Sequence, residues 1–257
     1  MSEIERTVCW FSCGAASAYA TKLALDKYEN CVIAYQDTGA EHTDNERFLK
    51  DCEKWFGQKI IRLKSEKYSD IWEVFEKTKW LVGPSGARCT GELKRRVAED
   101  FINFFRDREV FGYTADESKR LERFKSQNEE RIIDCPLIDE GKTKADCFDA
   151  LKRAGIELPT MYRMGYRNNN CIGCVKGQSG YWNKIRVDFP EVFERMSKME
   201  RKLNAAINKK YVKGNRVRVF LDELPPNAGR YEAEPSISCG LFCGANQLEL
   251  ELENETI

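Results

Sequence analysis

Cysteines are the residues of this sequence whose number and spacing most directly suggest chemistry. The chain of 257 residues contains 11 cysteines, and six of them lie in polar or glycine-marked stretches: Cys13, Cys89, Cys171, Cys174, Cys239 and Cys243. Cys171-Ile-Gly-Cys174 has the spacing that lets two thiolates reach one metal centre. Because one pair is only part of a four-ligand site, the sequence leaves open an iron–sulfur cluster, a zinc site and a metal-free redox pair.

A second stretch that suggests chemistry is the small-residue segment Ser12-Cys-Gly-Ala-Ala-Ser17. It follows an apolar run and precedes a helical pattern, which places it at a strand-to-helix turn. Backbone N–H groups at a helix start attract anions, and small side chains let a phosphate approach them closely. A turn whose serines only cap the helix explains the same residues. The sequence therefore predicts either a phosphate cradle or a structural turn.

The elements that must position these residues alternate between strands and helices. Strand patterns occur at 7–12, 31–36, 59–63, 110–113 and 131–136, and helical patterns at 16–28, 43–56, 70–79, 92–106 and 143–154. This alternation predicts an α/β fold with a doubly wound, mostly parallel sheet and helices on both faces. We expect two domains: residues 1–170 form the α/β layer, and residues 171–257 form a helical appendage, with a helix from Pro190 to about Lys210, and a tail.

Composition and charge indicate which class of protein to expect. The formal net charge is zero, no apolar run approaches the roughly 18 residues of a membrane span, and no signal-peptide pattern follows Met1. We therefore expect a cytoplasmic protein without a disulfide framework. The segment from Lys176 to Arg218 holds 12 basic residues against four acidic ones. This excess fits either a basic helical face packed near the acidic tail or a nucleic-acid surface.

Four stretches resemble those of a known family. The Ser12 turn resembles the PP-loop, S-G-G-x-D-S, of the adenine nucleotide α-hydrolase-like superfamily, with Cys13 and Ala16 departing from it. Asp37-Thr-Gly39, the cysteine-then-basic segment from Arg88 to Arg96 and Gly112-Tyr-Thr-Ala-Asp-Glu-Ser-Lys-Arg120 resemble stretches of the 3′-phosphoadenylyl-sulfate (PAPS) reductase family. The resemblance implies that these residues bind an adenine nucleotide: Ser12, Gly14, Ser17, Asp37, Thr38, Gly39, Glu117, Ser118 and Arg120.

The cysteines extend this resemblance. Cys89 followed by Cys171 and Cys174 resembles the C-C…C-x-x-C pattern of iron–sulfur-containing adenylyl-sulfate reductases, with Thr90 where the second cysteine stands. The resemblance implies a [4Fe–4S] cluster, with zinc as the alternative. Cys239 or Cys243 is then the natural source of the missing thiolate, and we assign Cys243 to it.

The tail resembles a catalytic segment of the same family. Ser238-Cys-Gly-Leu-Phe242 resembles the E-C-G-L-H segment of sulfonucleotide reductases, with Ser238 and Phe242 departing from it. The resemblance implies that Cys239 takes the sulfonyl group of PAPS or adenylyl sulfate, and that a thiol carrier such as thioredoxin then releases sulfite. If Cys239 is itself a metal ligand, this is not a reductase of the usual kind.

Two other functions remain open. One is an ATP-dependent enzyme that adenylates a nucleic acid or a small molecule and inserts sulfur into it. The other is a non-catalytic nucleotide-binding module.

Overall fold

The computed structural model describes residues 4–83, 86–212, 215–237 and 239. The strands are β1 (Arg6–Trp10), β2 (Cys31–Gln36), β3 (Ile60–Leu63), β4 (Val82–Gly83), β5 (Gly86–Ala87), β6 (Asp107–Val110), β7 (Ile132–Asp134), β8 (Asn208–Val212) and β9 (Asn215–Val219). The helices are α1 (Ala15–Lys27), α2 (Asn45–Phe56), α3 (Ile71–Thr78), α4 (Arg88–Thr90), α5 (Arg96–Phe101), α6 (Ser118–Ser126), α7 (Pro136–Asp139), α8 (Lys144–Arg153), α9 (Thr160–Arg163), α10 (Ser179–Asp188) and α11 (Pro190–Leu203).

The main sheet has five parallel strands in the order β3-β2-β1-β6-β7. Helices flank it, which confirms the predicted doubly wound α/β fold. In this sheet β2 lies on one side of β1, and β6 lies on the other side. The carboxyl ends of β1 and β6 therefore form the point where the strand order reverses, and ligands of such sheets bind there.

Helices α1 and α2 beside this sheet bury different kinds of side chain. Helix α2 buries Phe48, Leu49, Cys52 and Phe56 on one side and ends at Gly57, whose φ of 68° allows the chain to turn away. Helix α1 instead buries small residues, mainly alanines, against the strands. Small side chains there let the start of α1 lie close to the sheet.

The chain forms two compact units. The first comprises Met1–Asp37, His42–Lys64 and Val97–Asn169, and the second comprises Thr38–Glu41, Ser65–Arg96 and Asn170–Ile257. The first unit contains the five-stranded sheet, and the second contains α10, α11 and the β8–β9 hairpin.

Three sequence-based boundaries are wrong. The strand predicted at 110–113 is β6 at Asp107–Val110, because its buried acidic residues Asp107 and Glu109 hide the apolar pattern and are paired by arginines. The helix predicted over 92–106 has a π-helical turn at Gly91–Arg95 and ends at Phe101.

The third boundary concerns the helix that begins at Pro190. It stops at Leu203, because Asn204 adopts a left-handed conformation with φ 50°. The next residues form the β8–β9 hairpin. Within the described ranges, no helix combines the length and the apolar character needed to cross a membrane.

Candidate functional site

The turn between β1 and α1 is organised by its two serines. The Ser17 hydroxyl donates to the Gly14 carbonyl at 3.0 Å, and it accepts from the Ser12 amide at 3.0 Å and the Ser12 hydroxyl at 3.1 Å. Cys13 has a φ of 55°, an unusual value for a residue other than glycine. Among the described residues, the amides of Gly14 and Ala16 have no acceptor. Ser17 thus shapes the turn, whereas exposed Ser12 and these amides present donors.

Two residues that the sequence analysis did not select hold this turn in place. The buried Asn169 amide donates to the Cys13 carbonyl and to Asn45 Oδ1, each at 2.7 Å. The Tyr162 hydroxyl accepts from the Ala15 amide at 3.4 Å, and burial raises the pKa of Tyr162 to about 12. The asparagine run at 168–170 is the one sequence signal for these contacts, and it is equally typical of a polar turn.

A lysine packs beside Tyr162, the residue whose hydroxyl contacts this turn. Lys144 Nζ lies 5.4 Å from the centre of the Tyr162 ring and donates to Asn168 Oδ1 at 2.6 Å and to the Arg167 carbonyl. Burial lowers the pKa of Lys144. Lys144 is thus a partly buried basic group beside the Tyr162 ring.

Glu117 and Arg120 pair with each other. Glu117 forms a capping box with Thr114, accepting from the Thr114 amide at 3.1 Å, and it also accepts from Arg120 at 2.6 Å. Arg120 lies over the Tyr113 ring at 4.5 Å, and Ser118 begins α6. The carboxylate of Glu117 is thus used within the protein, while Arg120 is only partly buried.

Asp37 follows β2 and pairs with basic side chains of the first unit. Its carboxylate lies 3.1 Å from Lys64 Nζ and 3.5 Å from Arg62. Thr38 and Gly39 belong to the second unit. Gly39 has a φ of 66°, and a Cβ there would collide with the Ser69 carbonyl. Gly39 is therefore required by the backbone.

The Cys171-Ile-Gly-Cys174 turn is anchored on both sides. Thr38 Oγ1 lies 3.0 Å from Cys171 Sγ, and the Ile172 amide donates to the Ala40 carbonyl at 2.8 Å. The buried hydroxyl of Tyr181 accepts from the amides of Gly173 and Cys174 at 3.1 and 3.0 Å. The Lys176 amide hydrogen-bonds the Cys174 sulfur, which favours its thiolate form.

Tyr181→Phe tests this anchoring. Removal of the hydroxyl leaves two buried amides without an acceptor, so we expect the free energy of unfolding to fall by about 1–3 kcal/mol. Chemical denaturation followed by circular dichroism measures this loss. Tyr68→Phe, at a partly exposed tyrosine of the same unit, is the control and should change stability by less than about 0.5 kcal/mol. Equal losses in the two variants would contradict the assigned role of Tyr181.

Among the described residues, Cys239 belongs to a segment that contacts the neighbours of Cys89 and of Cys171. Its sulfur lies 3.9 Å from Thr90 Oγ1, next to Cys89. The Asn170 amide, next to Cys171, donates to the Ile237 carbonyl at 2.8 Å. These two contacts place the segment that carries Cys239 beside the sequence neighbours of Cys89 and of Cys171.

The four thiols affect each other's ionisation. Burial, together with Cys239 and Cys174, raises the pKa of Cys89 to about 12, and burial with Cys239 raises that of Cys174 to about 11. Burial and Glu41 raise the pKa of Cys171 well above its usual value. Burial opposes ionisation of Cys239 as well, but Lys94 and Lys176 lower its pKa. Cys239 is thus the most acidic thiol of the four.

Among the described residues, no three or more His, Cys, Asp or Glu side chains are arranged to hold a metal ion. The iron–sulfur cluster and its zinc alternative therefore both stay predictions from the sequence. Cys243, which we assigned as a metal ligand from the sequence, and Ser238 lie outside the described residues.

Comparison with known proteins gives two distant relatives. No family model matches the chain. The uncharacterized protein MJ0973 of Methanocaldococcus jannaschii is 22% identical over 195 residues, which cover 72% of this chain and 45% of that protein. The uncharacterized protein MJ0066 of the same organism is 24% identical over 173 residues, which cover 63% of this chain and 34% of that protein. The chain thus spans less than half the length of these relatives.

Proposed function

We propose that this protein is a sulfonucleotide reductase that binds PAPS or adenylyl sulfate at the β1–α1 turn. The observation that carries the proposal is the chemistry of that turn. Among the described residues, the turn offers two amides that have no acceptor, and Lys144 packs beside Tyr162, which contacts the turn. Ala16 stands where the PP-loop has an aspartate. Such a site suits a sulfate or phosphate held by hydrogen bonds better than a magnesium-bound triphosphate.

The proposed reaction takes two electrons from a dithiol carrier such as thioredoxin. The S–O bond between the sulfonyl group and the nucleotide phosphate breaks, sulfite leaves, and the carrier becomes a disulfide. In this reaction the chain holds the phosphate end through the amides of the turn and Lys144. Arg120 offers a planar fork for further phosphate oxygens. An iron–sulfur cluster on the cysteines would supply an electrostatic or redox centre for sulfur chemistry.

The direct test is a comparison of substrates. The full chain is incubated separately with PAPS, adenylyl sulfate and ATP, each with reduced thioredoxin, and sulfite and pyrophosphate are measured. Release of sulfite from a sulfonucleotide supports the proposal. Pyrophosphate from ATP without sulfite from either sulfonucleotide would overturn it.

Lys144→Gln tests the anion site. Loss of the cation should raise KM for the sulfonucleotide about tenfold, equivalent to about 1.4 kcal/mol, with the circular dichroism spectrum unchanged. The matched control is Lys142→Gln on the same segment, where the side chain is 33% exposed and pairs with Glu140. A KM change of the same size in both variants would show that Lys144 has no specific role.

Gly112→Ala tests the packing on which the turn depends. A Cβ at residue 112 would lie 2.6 Å from both the amide nitrogen and the Cα of Ser17, so the start of α1 would have to move. Such overpacking costs about 1–3 kcal/mol, and we expect nucleotide affinity to fall at least about tenfold, measured by calorimetric titration with adenylyl sulfate. Gly91→Ala, where nothing lies within 4 Å, should leave affinity unchanged. Unchanged affinity in Gly112→Ala would place the nucleotide elsewhere.

A second candidate function is ATP-dependent sulfur transfer to a nucleic acid. Two observations favour it. Cys239 lies among the other cysteines instead of apart from them as a separate sulfonyl acceptor. The segment from Lys176 to Arg218 holds 12 basic residues against four acidic ones, which suits an anionic partner. Pyrophosphate release stimulated by added RNA or DNA would identify this function.

A further inference from the structure

Helix α10 begins at a carboxylate that comes from much later in the chain. The Gly180 amide donates to one oxygen of Glu234, and the Tyr181 amide donates to the other at 3.2 Å. The first turn of α10 has no acidic residue of its own. Amides at a helix start lack acceptors within the helix and carry partial positive charge. Glu234, which is 9% exposed, therefore supplies the negative charge that stabilises this helix start.

The segment that contains Glu234 lies along the same helix. We call residues 221–237 the strap. The side chains of Asn183 and Arg186, both on α10, each donate to two backbone carbonyls of the strap, at distances between 2.7 and 3.2 Å. Because the acceptors are backbone atoms, these contacts fix the path of the strap along the helix.

The strap and the helix approach each other closely at two glycines. A Cβ on Gly180 would lie 2.6 Å from the Tyr231 amide nitrogen, and a Cβ on Gly229 would lie 2.5 Å from the Gly180 amide nitrogen. The lack of a side chain at both positions lets the two backbones touch. This contact brings the carboxylate of Glu234 within reach of the helix start.

Helix α10 also holds the Cys171-Ile-Gly-Cys174 turn, and it does so through the residue that contacts the strap. The Tyr181 amide donates to Glu234, and the Tyr181 hydroxyl accepts from two amides of that turn. The strap ends two residues before Cys239. Helix α10 is thus the common support of the Cys171–Cys174 turn and of the segment that leads to Cys239.

We propose that Glu234 is a positioning residue for Cys239. By holding the strap on the start of α10, Glu234 sets the place of the Cys239 thiol relative to the Cys171–Cys174 turn. Four residues separate Glu234 from Cys239, so displacement of the carboxylate shifts the thiol. This role deepens the proposed reduction, in which Cys239 takes the sulfonyl group, and it rests on that reduction only for its effect on turnover.

Hydrogen exchange of the full chain without nucleotide, followed by mass spectrometry, tests the contact. Glu234→Gln removes the charge and offers one oxygen to two amides, so exchange across 221–237 should become at least about tenfold faster. Helix α11 should keep its native rate. Glu232→Gln, at an exposed residue of the same segment, is the control and should change neither rate. Unchanged exchange in the strap, or equal acceleration in the strap and α11, would overturn the proposal.

Gly180→Ala displaces the strap without removal of Glu234. Alanine is a better helix former than glycine, so α10 should persist in this variant. The added Cβ would occupy space that the backbone of the strap now fills. We expect the same local acceleration of exchange over 221–237 as in Glu234→Gln. Native exchange rates there would contradict the assigned contact.

Turnover provides a readout that a purely structural role would not change. In sulfite release, Glu234→Gln should lower kcat about tenfold and leave KM for the sulfonucleotide unchanged, because the proposed nucleotide contacts lie at the β1–α1 turn. An unchanged kcat would overturn the role of Glu234 toward Cys239. If the native chain releases no sulfite, the proposed reduction fails, and the exchange rates still decide whether Glu234 holds the strap.

Discussion

Replacement of Arg131 by methionine is expected to lower the free energy of unfolding by about 3–5 kcal/mol. Arg131 donates to both oxygens of Glu109, at 2.6 and 2.5 Å, and the two side chains are 3% and 0% exposed. Glu109 also accepts from the Trp10 indole at 2.8 Å. Removal of the arginine leaves a carboxylate buried in the main sheet with one donor, the Trp10 indole, among the described residues. A buried charge that has lost its partner is strongly destabilising.

The double variant Arg131→Met with Glu109→Gln separates this cause from lost packing. Glutamine keeps an oxygen for Trp10 and carries no charge, so the double variant should recover much of the stability lost in the single one. Urea denaturation measures both. The control is Asp26→Asn, which removes an exposed pair with Lys22 and should cost less than about 1 kcal/mol. Purely additive losses in the double variant would show that packing, not charge, dominates.

The second large effect is a pH dependence that originates at Glu200. This carboxylate is fully buried and accepts from the Ile207 and Leu221 amides, both at 2.6 Å, so it joins the end of α11 to both sides of the β8–β9 hairpin. Burial raises its pKa from 4.5 to about 7, despite these two donors. Its protonated form is therefore favoured in the folded protein. The resulting stability is fully present below pH 4.5 and is lost as pH rises through about 7.

A rise in the pKa of Glu200 from 4.5 to about 7 corresponds to about 3 kcal/mol of stability lost between pH 4.5 and pH 8. Glu200→Gln cannot ionise, so we expect its free energy of unfolding to fall less than that of the native chain between pH 5 and pH 8. Every other titrating group is the same in the two proteins, so its contribution to the pH dependence cancels in the comparison. Glu194→Gln, on the same helix and 65% exposed, should retain the native pH dependence. The same slope in Glu200→Gln and the native chain would refute the assignment.

Local sequence patterns predicted the strands and helices around the main sheet whose buried side chains are apolar. Cys31–Gln36 begins and ends where its apolar run does, and α2 ends at the glycine after Phe56. The apolar pattern failed to predict the strand whose buried charged residues pair with residues far away in the sequence. Asp107 and Glu109 look like surface residues in the sequence, and only Arg6 and Arg131 make them compatible with a buried strand.

The candidate site could be predicted only in part for a similar reason. The Ser12 turn and the Cys171 pair carry short-range signals, since close spacing alone indicates their chemistry. Tyr162 carries none, because it contacts Ala15, 147 positions away, and the signal at Asn169 is ambiguous, because an asparagine run is also typical of a polar turn. The structure also places Cys239 beside Thr90, a relation that no spacing rule encodes.

The contact between Thr90 and Cys239 joins residues that are 149 positions apart. During synthesis the chain emerges at about 5–20 residues per second, so Cys89, Cys171 and Cys174 leave the ribosome seconds before the fourth thiol is made. Closure of so long a loop is slow and entropically costly. The contact between Thr90 and Cys239 therefore forms only late in biogenesis, after the residues around Thr90 have had seconds to fold without it.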